Sequence, residues 1–207
     1  MKILVVGDLH GKKIKIKNDN FDTILCVGDF CDDKLKKIIF EEIKEKQKNP
    51  KYNKRWYDII GKENAKKEIQ NSLKKGREVL EYLNSFNKPT FIVPGNWDFA
   101  KFEKSKWKYY QINHFKKILE GLKNIKNIHN KKIEFSNHTI IGYGKNWEPE
   151  IPDKNREKWY EQRVKDWMKN NYEKQTKIND TLFKIAKKPI IYLTHNSPHN
   201  TPLDKIN

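Results

Sequence analysis

The chain has 207 residues, 44 Lys and Arg against 27 Asp and Glu, a net charge of +17 and 36% hydrophobic residues. That length suits one α/β domain of ordinary size, and two cysteines supply neither a disulfide framework nor a zinc ribbon. No apolar run approaches the roughly 18 residues of a membrane span, and the apolar start Met1 to Val6 is too short for a signal peptide, so a cytosolic protein with reduced thiols and no membrane partner is expected.

The first predicted strand is Ile3-Leu4-Val5-Val6, followed by Gly7-Asp8-Leu9-His10-Gly11; the second is Ile24-Leu25-Cys26-Val27, followed by Gly28-Asp29-Phe30-Cys31-Asp32. Both runs are continuously apolar rather than alternating, as a parallel strand covered on both faces requires. Cys26 reads as a buried strand residue, and Cys31 lies inside the second loop.

Leu35, Ile38, Ile39 and Ile43 place an apolar stripe on Lys34 to Lys48, and Ala65, Ile69, Leu73, Leu80 and Leu83 continue the spacing through a longer segment after a break at Pro50. Residues 34–86 are therefore expected to be a helical insertion, either a cap that selects substrate or a cover for one sheet face. Phe91-Ile92-Val93 is the third strand, before Pro94-Gly95-Asn96-Trp97-Asp98. A third helix is predicted over Lys106 to Leu122, with Tyr110, Phe115, Ile118, Leu119 and Leu122 inward.

Thr139-Ile140-Ile141 reads as another strand. The loop after it, Gly142-Tyr143-Gly144-Lys145, lacks the Gly and the Ser or Thr of a triphosphate loop. Tyr143, Asn146 and Trp147 remain candidates to line a substrate pocket. A fourth helix is predicted over Lys154 to Tyr172, with Trp159, Val164, Trp167 and Met168 on one side, and Ile190-Ile191-Tyr192-Leu193 leads into Thr194-His195-Asn196-Ser197-Pro198. His114, His129 and His138 read as packed or solvated residues. His199, four residues after His195, is the nearest spare imidazole.

Apolar runs alternating with helices predict an α/β fold with a mainly parallel central sheet flanked by helices, or a two-sheet α/β/β/α sandwich. In such sheets ligands gather beyond the carboxyl ends of the strands, where all four motifs fall. Their Asp, His and Asn side chains are the oxygen and nitrogen donors that suit Mn²⁺, Zn²⁺, Fe or Ni²⁺. Two such cations about 4 Å apart activate a water toward phosphorus and neutralise phosphoryl oxygens, which makes a phosphate ester the natural substrate. The charge invites a nucleic-acid partner. Forty of the 44 cations are Lys spread along every predicted helix, however, and this favours a general attraction for anionic substrates.

The ordered motifs resemble the calcineurin-like metallophosphoesterase family, whose pattern is Asp-x-His, Gly-Asp-x-x-Asp, Gly-Asn-His-Asp/Glu, a His, and a final Gly-His-x-His. The resemblance spans residue 3 to about 204. It implies two divalent metal ions, with manganese the leading choice: Asp8 and His10 on the first, Asp29 bridging, and Asn96 and His195 on the second. It implies further that Asp32 is the acid supporting these ligands, and that a hydroxide shared by the metals hydrolyses a phosphomonoester or phosphodiester.

Trp97 stands where the family has the His that contacts the phosphate and protonates the leaving group, so it is assigned to substrate binding. Asp98 then becomes a catalytic candidate, as ligand, as orienter of Asn96 or as proton carrier. The Gly-His-x-His element does not occur before Asn207. Residues 1–207 are accordingly read as a single phosphoesterase domain short of its carboxyl-terminal portion, with His199 as the substitute ligand or phosphate contact. The alternatives are a non-catalytic interaction module and a nuclease for nucleic-acid ends. The oligomeric state is left open.

Overall fold

The computed structural model describes residues 1–49, 51–101, 105–144, 173–187 and 189–196. The chain divides into two compact units, one formed by residues 1–33, 69–147 and 186–207 and the other by 34–68 and 148–185.

The first unit holds two sheets. β1 (Ile3–Val6), β2 (Thr23–Cys26), β3 (Thr90–Ile92) and β4 (Ile125–Asn127) lie side by side in that order, all parallel. β5 (Lys131–Phe135), β6 (His138–Tyr143) and β7 (Ile190–Thr194) form the second sheet, β5 antiparallel to β6 and β6 parallel to β7. The expected two-sheet arrangement is thus the one found. Thr139 to Ile141 and Ile190 to Leu193 are not further strands of the first sheet.

The continuous apolar character of β2 follows from its two coverings. Ile24 and Cys26 pack with Val79, Leu80 and Leu83 of α3 (Lys62–Asn84) and with Phe115 of α4 (His114–Ile118). Leu25, between them in sequence, joins Phe91, Val93, Ile128, Ile140 and Leu193 in the cluster between the sheets. Period-two alternation sends neighbours to opposite faces, so a strand buried on both must be apolar throughout. Burying each large side chain there is worth about 1.5–3 kcal/mol.

The Lys106 to Leu122 helix is not continuous. A 3₁₀ turn covers Lys108–Gln111 and α4 starts afresh at His114, because the Asn113 side chain accepts the Lys116 N–H at 3.0 Å and caps a new helix. β4 and β5, short and only partly buried, carry too little apolar signal to be read from sequence.

In the second unit α1 (Lys36–Lys48) and the one-turn α2 (Trp56–Ile59) are joined through buried Glu42. Its carboxylate accepts the Trp56 N–H at 2.7 Å and pairs with Lys46 and with Arg55. α5 (Glu173–Lys184) also belongs to this unit. Among the described residues, segment 34–86 holds α1, α2 and all of α3, joined by short non-helical stretches. The predicted helix Lys154 to Tyr172, with Asn146, Trp147 and His199, lies outside the described residues. No helix among the described residues is long and apolar enough to cross a membrane.

Candidate metal centre

The loop Gly28 to Asp32 is the hub to which the other three motifs attach. Beyond the end of β1, Asp8 N–H donates to the Gly28 carbonyl at 3.1 Å, His10 N–H to Asp29 at 2.8 Å and Gly11 N–H to Phe30 at 2.8 Å. The two loops run together as the strands before them do. Gly28 has a φ of +101°, and its missing Cβ leaves the space through which the Gly95 backbone passes.

Asp98 locks the third motif onto this hub. Its Oδ2 accepts N–H groups from Asp29 at 2.8 Å and Gly95 at 2.7 Å, and its Oδ1 those of Phe30 at 2.8 Å and Cys31 at 3.1 Å. The residue is fully buried; burial pushes its pKa up, and the four donated N–H bonds act against that rise. Because the surrounding amides are all donors, the ionised carboxylate is the form that satisfies them. Both oxygens are saturated, which leaves Asp98 no lone pair for a metal and no route for a leaving-group proton. Of the roles expected for Asp98, orienting the Asn96 loop is the one these contacts fit.

Trp97 N–H donates to Asp29 Oδ1 at 2.8 Å, closing the same junction. Thr194 ends β7, and the His195 ring reaches back to the hub, where Nδ1 lies 2.7 Å from the Val27 carbonyl. A carbonyl only accepts, so the proton is assigned to Nδ1, and the lone pair of Nε2 points at Asn96 and Asp29.

The four loops together produce two overlapping groups of acceptors. Ligand atoms of Asp8, His10 and Asp29 all lie within 4.8 Å of one another. Beside them, Nε2 of His195 is 2.8 Å from Asn96 Oδ1 and 3.6 Å from Asp29 Oδ2. Asp29, 3% exposed, belongs to both groups, as a bridging ligand would. All five residues assigned as metal ligands therefore meet in one place.

Two further observations fit divalent cations here. Buried Nδ1 of His10 has no hydrogen-bond partner among the described residues. Asp8, His10 and Asp29 also adopt left-handed backbone conformations, with φ of 51°, 44° and 58°. Such conformations cost on the order of 1–3 kcal/mol each and concentrate at sites where side-chain placement outweighs local comfort.

Asp32 is nearly buried. Its carboxylate takes Lys75 Nζ of α3 at 2.7 Å and its carbonyl the Ser72 hydroxyl at 3.0 Å, so it fastens the hub to that helix. Lys75 carried no signal in the sequence, where it is one of many lysines on a helix face. Burial drives the Cys31 thiol well above its ordinary pKa, with the Asp98 carboxylate adding to the rise. Tyr143 is two-sided: its carbonyl accepts the His195 N–H at 3.2 Å while its ring lies 5.7 Å from that of His129.

The calcineurin-like phosphoesterase family model matches residues 1–204. No curated protein matches the chain. Four solved chains do. One crystal structure aligns with 92% of this chain and 67% of its own at 12% identity and a TM-score of 0.53. The crystal structure of TT1561 of Thermus thermophilus aligns with 98% of this chain and 70% of its own at 15% identity and a TM-score of 0.43. At 12% identity the likeness to the first concerns the fold alone.

Proposed function

Given that the chain belongs to the calcineurin-like phosphoesterase family, we propose that it is a metal-dependent phosphoesterase acting on a phosphomonoester or phosphodiester. The observation that carries this reading is the convergence of Asp8, His10 and Asp29 within 4.8 Å, with Asn96 and His195 completing a second group around the same aspartate.

In this reading Asp8, His10 and Asp29 hold one divalent cation, and Asp29, Asn96 and His195 hold another, manganese being the first choice. Bound there, the cations supply Lewis-acid activation of water and neutralise charge on the phosphoryl oxygens. The Val27 carbonyl keeps the His195 proton on Nδ1, so that Nε2 is available as a donor without deprotonation. Asp98 holds the Asp29 and Asn96 loops in register. Trp97 has only an N–H and cannot deliver and recover a proton at neutral pH, so the leaving oxygen departs without its help.

The experiment is hydrolysis of 4-nitrophenyl phosphate and bis(4-nitrophenyl) phosphate with and without Mn²⁺, beside Asp29→Ala. Metal-stimulated release of nitrophenolate, abolished by the substitution, supports the reading. Release that ignores both metal and Asp29 sinks it. The net charge of +17 makes a nucleic-acid end the alternative substrate class to test. Oligonucleotide cleavage whose rate falls steeply with salt would select that class over small esters.

A further inference from the structure

The amide of Asn96 has two orientations half a turn apart, and its neighbours make them unequal. With Oδ1 toward the site, that oxygen lies 2.8 Å from the bare Nε2 of His195, acceptor against acceptor, while Nδ2 faces Nε1–H of Trp97, donor against donor. With Nδ2 toward the site, it donates to His195 Nε2 at 2.8 Å and to Asp29 Oδ2 at 3.2 Å, and Oδ1 accepts the Trp97 indole N–H at 3.0 Å. With the His195 proton on Nδ1, the first orientation sets three acceptors together unless a cation lies among them. The second satisfies every group without one.

The separations fit this alternative physically. Donor atoms each about 2.0–2.2 Å from a common cation lie roughly 3–4 Å from one another; the pair Asp29–His195 at 3.6 Å falls within that range and Asn96–His195 at 2.8 Å just below it. One set of positions thus serves either as a ligand cage or as a closed hydrogen-bond triangle, depending on which end of a single amide faces inward. What decides the balance is the group behind Asn96. That group is Trp97, 8% exposed and so with little water to replace the amide oxygen as its partner.

We propose that Trp97 tethers Asn96 in the orientation that does not ligate, making the second cation site weaker than the first and its filling a switch of the Asn96 amide. The inference rests on the two-cation reading above. Loading the second cation breaks the Trp97 bond and turns the amide, whereas loading the first, on Asp8, His10 and Asp29, leaves the Asn96 bonds to His195 and Trp97 in place. The substitution of Trp for His at this position then has a consequence besides the lost acid: it couples site occupancy to the rotamer of a neutral side chain.

The test is equilibrium titration of the full chain with Zn²⁺, a diamagnetic divalent cation, which counts cations and resolves two steps, together with ¹⁵N-tryptophan labelling to follow the indole N–H. For the parent chain we expect a tight and a weak step, with one indole resonance moving to a less hydrogen-bonded position only during the second. Trp97→Phe removes the N–H and should tighten the second step about two- to tenfold, the worth of one net hydrogen bond, with the first unchanged. Asn96→Asp presents an acceptor in either orientation. It should tighten the second step and make a subsequent Trp97→Phe without effect.

Two bound cations with a second step indifferent to, or weakened by, Trp97→Phe would overturn the proposal while leaving the two-cation reading intact. An indole signal unmoved through both steps would overturn it even if the variant failed to fold. Binding of no cation at all would remove both readings together.

Discussion

Asp98 spans Gly95, Asp29, Phe30 and Cys31 with two oxygens, so exchanging one oxygen for an NH₂ group sets a donor against backbone donors. Asp98→Asn is expected to lower unfolding free energy by about 2–6 kcal/mol, two buried N–H groups losing their acceptor at about 1–3 kcal/mol each. Urea unfolding measures it, and an unchanged midpoint would contradict the clamp. Trp97 makes a different kind of prediction. Without a proton donor the rate should depend steeply on the leaving group, so 4-nitrophenyl phosphate should be turned over far faster than phenyl phosphate. Trp97→His should then raise the phenyl rate more than the nitrophenyl rate, toward the 10²–10⁴-fold that general acid catalysis typically contributes. At this scale the sequence was informative about which side chains come together, since Asp8, His10, Asp29, Asn96 and His195 stand in local motifs. It was silent about Asp98's role, because an aspartate that clamps backbone amides and one that carries a proton look alike until their partners are known.

The loops after β1, β2 and β3 act as one piece because backbone meets backbone where they cross. Gly28 is the sharpest instance: an alanine there would combine a φ of +101° with a Cβ driven into the Gly95 backbone. Gly61 has a φ of +81° with nothing within 4 Å of its missing Cβ, which separates strain from collision. Gly61→Ala is expected to cost about 1 kcal/mol, and Gly28→Ala at least about 2 kcal/mol more together with loss of Mn²⁺ binding, by thermal unfolding and titration. Equal costs would mean that the close approach is not what requires glycine. The elements themselves were legible where their pattern is strong, as in β1, β2, α1 and α3. The helix expected over Lys106 to Leu122 failed for a local reason: its apolar spacing is helical, but the Asn113 side chain offers the Lys116 N–H a competing acceptor and restarts the helix there.

For the molecule as a whole, cations that bind the native state alone must stabilise it by mass action. Mn²⁺ at a hundredfold excess over a site's Kd is expected to add about 2.7 kcal/mol, a rise of roughly 5–10 °C in Tm for a chain of this size. EDTA should reverse it, and Asp29→Ala should show none of it. A Tm indifferent to Mn²⁺ over that range would argue against any native metal site. Much of the design was legible from the chain alone, for a physical reason: motif chemistry and hydrophobic period are local properties. Glycine-flanked Asp, His and Asn residues follow apolar runs, and that pattern is enough to put ligands at strand ends and to indicate an α/β fold. Tertiary structure alone decided which sheet each run joins, since Ile140 and Leu25 are equally apolar and only pairing assigns one to β6 and the other to β2. It also decided which partners each site residue meets, because those contacts are distant in sequence. His195 meets Val27 across 168 residues, His195 meets Asn96 across 99, and Asp98 meets Asp29 across 69. No local pattern records which hydrogen-bond partner such a contact will supply.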